Sequence, residues 1–189
     1  MTDTRAWTTA AEAVSPADTP SFGAAEVAYA VSLTEGEARE RAVRFLQLAP
    51  DFVTEQIAAL GASSLLARGE LSVDGDALVP RGGIRLLIAV LQRAVRWTEI
   101  AMIQESGVEA ALYVQSPELS VLLSPAAMST WTMVVRRPAV SDAALLAELV
   151  SNNAARHPDG TAYFGTELVG SASDGSGKIH LFVRPDGEG

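Results

Sequence analysis

Cysteine is absent from the chain, which excludes disulfides, thiolate zinc sites and cysteine nucleophiles together. Histidine is nearly absent. His157 and His180 stand far apart, no HExxH spacing exists, and a zinc ion would have to be held by carboxylates. Lysine occurs once, as Lys178, and the other basic residues are arginines. With a net charge of −9 the chain lacks the cationic surplus that neutralises phosphates, which argues against nucleic-acid binding. Long hydrophobic runs are also missing. No stretch reaches the roughly 18 uninterrupted apolar residues of a membrane span. Residues 1–22 hold no apolar run of about seven residues after Arg5, so no signal peptide is expected and the expected location is the cytoplasm.

What remains is an ordinary globular composition of 48% hydrophobic and 20% charged residues over 189 positions, enough to bury a core without covalent braces. One domain over residues 23–184 is expected. Residues 1–22, rich in Thr, Ala, Ser and Pro, read as a disordered leader in which Trp7 and Phe22 are the residues able to dock, and 185–189 read as a disordered tail.

The pattern along the chain is mixed. Ala24–Leu33 alternates weakly and fits one strand. Thr34-Glu35-Gly36-Glu37 fits a capping box before a helix that reaches about Gln47. After Pro50, Asp51 is positioned to cap a helix carrying Phe52, Val53, Ile57 and Leu60. Gly61 interrupts it, and a short helix Ser63–Arg68 follows. Asp74-Gly75-Asp76 lies between two apolar runs, and a hairpin or an extended loop fits.

The most apolar stretch is 83–136. Ile84, Leu87, Ile88, Leu91 and Val95 follow helical spacing. Four strand-like runs come next, Arg96–Gln104, Glu109–Gln115, Leu119–Leu123 and Ser129–Arg137, with gaps short enough to require an antiparallel meander. Ser141 is an N-cap, and Val140 can staple onto Leu145 in the helix it opens. Thr161–Val169 and Lys178–Val183 close the chain as a hairpin around a Gly/Ser-rich loop. Helices and strands do not alternate regularly, so the expected fold is α+β, an antiparallel meander with helices on one face. The meander's free edge is the expected place for a second copy or a partner strand.

No catalytic constellation stands out. Gly170-Ser171-Ala172-Ser173 and Gly175-Ser176-Gly177 lack the strand-turn-helix setting of a nucleophile elbow. Gly82-Gly83, with Arg81 and Arg85 nearby, could present backbone N–H groups to an anion but has no Walker lysine. Arg93 and Arg96 extend that arginine group as a solvated face. Segment 51–79 has the outline of a winged helix, but its second helix carries one basic residue, Arg68, where a DNA reader needs several. No catalytic residue, metal or cofactor is expected. Trp97, Tyr113 and Trp131 sit at strand spacing, and both core and protein-binding surface remain open for them.

Residues Ala59-Leu60-Gly61-Ala62-Ser63-Ser64-Leu65-Leu66-Ala67-Arg68-Gly69, an Asp/Gly-rich stretch, a helix running into the Trp97 strand, a meander containing Ala110-Ala111-Leu112-Tyr113-Val114, and the Ser141–Val150 helix succeed one another. This layout resembles one half of the EspG family, the actinobacterial chaperones of type VII (ESX) secretion, over Thr34–Val150. The resemblance implies a non-enzymatic cytosolic chaperone or adaptor that shields a helical secretion substrate of PE–PPE type. It also implies that a homodimer through the sheet would restore the family's second half. Two alternatives stand beside it: a small α+β ligand-binding domain or enzyme, and a winged-helix-like regulator.

Overall fold

A computed structural model describes residues 19–136, 141–170 and 177–184. The expected leader lies outside these residues up to position 18, as do Trp7, Val140, most of the Gly/Ser loop and the tail 185–189.

The fold is α+β. Strand β1 (Ser21–Gly23) leads into α1 (Ala24–Ser32), α2 (Gly36–Phe45) and, after a 3-10 turn at Pro50–Phe52, α3 (Glu55–Ala67). The hairpin β2 (Leu71–Asp74) and β3 (Ala77–Pro80) precedes α4 (Gly82–Arg93). The meander is β4 (Arg96–Gln104), β5 (Gly107–Gln115), β6 (Ser120–Ala126) and β7 (Thr130–Arg136). Helix α5 (Asp142–Arg156) and the hairpin β8 (Thr161–Leu168), β9 (Lys178–Val183) complete the described chain. The large sheet has seven antiparallel strands in the order β1-β7-β6-β5-β4-β8-β9.

The α4 helix, the meander, α5 and both hairpins stand where the spacing predicts them, except that α4 ends at Arg93, so Val95 leaves the helical series and its amide bonds the Gln115 carbonyl of β5 instead. At the β2–β3 turn, Gly75 takes φ +60°, which suits glycine. Ser141 accepts from the Ala144 amide at 3.2 Å, as an N-cap should.

Four expectations are corrected. Ala24–Ser32 is a helix, not a strand. It is buried from Glu26 to Val31, so burial on all sides removes the periodicity that would mark a helix. Its first turn is closed by Glu26, whose Oε2 accepts from the Gly23 amide at 2.9 Å. Second, Thr34 does not cap α2. Its hydroxyl donates back to the Val31 carbonyl at 2.7 Å, and Glu35 holds the N-cap position. Third, α3 runs unbroken through Gly61, and Thr54, not Asp51, caps it by accepting from Ile57 N–H at 3.3 Å. Gly61 marks a close crossing, because a Cβ there would collide with the Ala25 carbonyl of α1. Fourth, the leader does not extend to residue 22. Phe22 is fully buried, and Ser21–Gly23 pair with Thr130–Thr132 of β7.

The helices also do not share one face. Trp97, Leu112, Val114, Val121, Leu123 and Met133 point to α1–α4. The alternate residues Ile100, Met102, Ala111, Tyr113, Leu122 and Val134 point to the opposite face, where α5 lays Leu145 and Leu149 on them together with Ala162 and Phe164. Strand alternation produces two cores, and one helix covers the second.

Candidate functional site

The meander has no free edge. Its β7 side is closed by β1, and its β4 side by β8, which pairs with it from Arg96↔Leu168 to Ile103↔Thr161. Among the described residues the sheet ends instead at the three-residue β1 and at the six-residue β9.

On β9 the side chains alternate between two environments. Ile179, Leu181 and Val183 face α5 and, with Leu146 and Val150 of that helix and Phe164 of β8, line an open apolar groove of about 590 Å³. Ile179 is 63% exposed, Leu181 54% and Phe182 62%. Lys178, His180 and Phe182 face the α2 side. There Tyr163 Oη and His180 Nδ1 are 2.8 Å apart, and the Tyr163 ring lies 4.9 Å from that of Phe182. Lys178 pairs with Glu99 at 3.1 Å and stands over the Phe45 ring. Edge strands are normally blunted by proline, charge or cover. Within β9 only Lys178, at its first position, carries a full charge.

The groove wall is held by a polar network at the start of α5. Asp142 Oδ1 accepts from the Tyr113 hydroxyl at 2.8 Å, and its Oδ2 accepts from Gln115 Nε2 at 2.6 Å. Arg96 stands 3.5 Å from the same Oδ2, and Arg136 donates to the Tyr113 oxygen at 3.2 Å. Burial is the main force raising the Tyr113 phenol above its ordinary pKa. The hydrogen bond and charge of Asp142 add to it, while Ser120 and Arg136 oppose it.

The aromatics are divided by their positions. Trp97 and Tyr113 are each 1% exposed, so they are core residues and not a contact surface. The reason is their phase: Trp97 stacks on Phe45 at 5.1 Å under α2, and Tyr113 is roofed by α5. Trp131 is partly buried, opposite Phe22, and packs against the first core.

The remaining candidates fall to local structure. The anion at the Gly82-Gly83 helix start is internal: the Ile84 amide donates to Glu70 Oε2 at 2.8 Å. Arg81 donates to Ser72, Arg93 pairs with Glu118 and Arg96 with Asp142, so the arginines around α4 face separate neighbours. The unbroken α3 leaves no second helix of a winged-helix unit. Among the described residues no cluster of three metal-ligating side chains occurs, and no helix is long and apolar enough to cross a membrane. His157 holds the C-cap position of α5, its amide donating to the Asn153 carbonyl.

Sequence reasoning missed β9 as the open edge. The run Lys-Ile-His-Leu-Phe-Val signals an apolar strand with a single full charge, but its outermost place depends on β8 returning to β4. Compared with known proteins, the chain matches no protein-family model and no curated protein sequence.

Proposed function

We propose that the chain is a non-catalytic binding protein, a chaperone or adaptor of EspG type associated with type VII secretion and acting in the cytoplasm. The observation that carries the binding role is the exposure of Ile179, Leu181 and Phe182 on an edge strand that no described segment covers. A long, apolar, uncovered edge is an aggregation hazard unless it is used. What supports the EspG type is the order of elements from Thr34 to Val150, and the partner it brings is a helical secreted pair of PE–PPE type. A second copy would use the same edge, since β1 at the other end is too short to organise one.

A small-molecule role is the second reading. The groove, at about 590 Å³, lies within the range of ligand pockets. Its lining is nearly all apolar, with Arg96, Ser151 and Thr166 as the polar groups, so it offers few groups to orient a substrate.

Co-expression with a PE–PPE pair tests the proposal. The expected result is a complex that survives gel filtration and is lost when Ile179 and Leu181 are both replaced by Asp. Failure to form any complex across PE–PPE pairs from the native host would overturn the chaperone reading.

A further inference from the structure

We infer that β9 receives an extended segment of a partner chain by strand addition, and that this segment alternates apolar with acidic residues. The inference rests on the binding role proposed above and specifies how the partner is held.

The two faces of β9 dictate the pattern. A strand added beside it places every second side chain over the α5 groove, against Ile179, Leu181 and Val183. Those side chains must be apolar. The intervening ones meet the α2 side, where Lys178, His180 and Phe182 follow one another at strand spacing and Arg184 comes next, one residue past the end of β9. Arg184 Nε donates to the Thr161 hydroxyl at 3.1 Å and His180 bonds to Tyr163, so neither is held by a carboxylate in these contacts. Lys178 is already shared with Glu99 at 3.1 Å, so Arg184, whose contact above is to a neutral hydroxyl, is the cation that an acidic side chain of the added strand complements best.

The same charges disfavour the most central register of a second copy here. Two antiparallel strands related by a two-fold keep the same face up, so their pairing centres on a residue. Centring on His180 sets the two imidazoles opposite each other. Centring on Leu181 sets Lys178 opposite Arg184, and centring on Phe182 sets His180 opposite Arg184. The Leu181-centred register thus sets two full cations opposite each other, and like charges directly across a ladder are destabilising.

The test titrates the isotope-labelled full chain with an eight-residue peptide alternating valine and glutamate. Controls are its valine–lysine counterpart and an amphipathic leucine–glutamate helical peptide. The expected result is that valine–glutamate shifts the β9 amides and shows cross-strand contacts to them, binding about tenfold more tightly than valine–lysine. Replacing both exposed cations, Lys178→Glu with Arg184→Glu, should reverse that preference in a chain that remains folded. The inference is overturned if the helical peptide alone occupies the groove, or if no peptide shifts β9. It is also overturned if the free chain scatters as a dimer paired through β9, or if amides of residues 1–18 move with those of β9 as the peptide binds. A PE–PPE complex that forms while the valine–glutamate peptide fails would remove the strand mode and leave the chaperone reading standing.

Discussion

The Tyr113 hydroxyl donates to Asp142 Oδ1 at 2.8 Å, joining the middle of the sheet to the first turn of α5. Gln115 and Arg96 converge on the other carboxylate oxygen. Asp142 is thus both a favourable charge at a helix N-terminus and the acceptor that fixes α5 over the second core. Asp142→Ala removes the acceptor of three donors. With the carboxylate 37% exposed, water replaces part of the loss, and the expected cost is about 1–3 kcal/mol. A thermal melt should fall by several degrees. An unchanged melting temperature would show that α5 is held by Leu145 and Leu149 alone.

Alkaline stability follows from Tyr113 and Tyr29. Burial raises both phenols above 10.0, so the folded state favours the neutral ring. Their contribution is complete below pH 10 and is lost as the pH rises through the raised values. Ultraviolet titration of phenolate should show late components absent from the unfolded chain. Tyr113→Phe should reduce the drop in stability between neutral and strongly alkaline pH. A Phe variant with the full alkaline loss would place that loss elsewhere.

Gly61→Ala should destabilise the fold although alanine favours helices. The new methyl meets the Ala25 carbonyl, and separating α1 from α3 costs about 1–3 kcal/mol. Urea denaturation measures it. A stabilised variant would mean that the two helices can part without loss.

Trp97 and Trp131 should respond unequally. Trp97→Ala empties a fully enclosed site against Phe45 and should cost about 3–5 kcal/mol. Trp131 is only partly buried, and its replacement should cost roughly half as much. Equal losses in chemical denaturation would contradict the placement of the two indoles.

Glu70→Gln tests the start of α4. Glu70 Oε2 accepts from the Ile84 amide, and its carboxylate lies against Gly82, which takes φ +50°. Neutralising it should cost about 0.5–1 kcal/mol, the range for a charge at a helix N-terminus. If added salt erases the difference from wild type, the effect is electrostatic. A salt-independent loss would assign it to packing instead.

Local pattern determined much of this protein by itself. Helical spacing from Ile84 to Leu91 placed α4, and the short gaps between the strand-like runs cut the meander into strands that the structure repeats within a few residues. Ser141 placed the start of α5. These features report burial on one face or a turn's backbone geometry, and both are written within a few neighbouring residues. Tertiary structure alone decided the rest. Ala24–Ser32 became a helix because neighbours surround it, and Gly61 is glycine because another helix crosses there. The division of the sheet into two cores and the exposure of β9 arose from pairings between distant strands, such as Phe22 with Trp131 and Arg96 with Leu168. A strand's sequence shows which of its faces is apolar. Whether that face and edge are covered depends on where the rest of the chain returns.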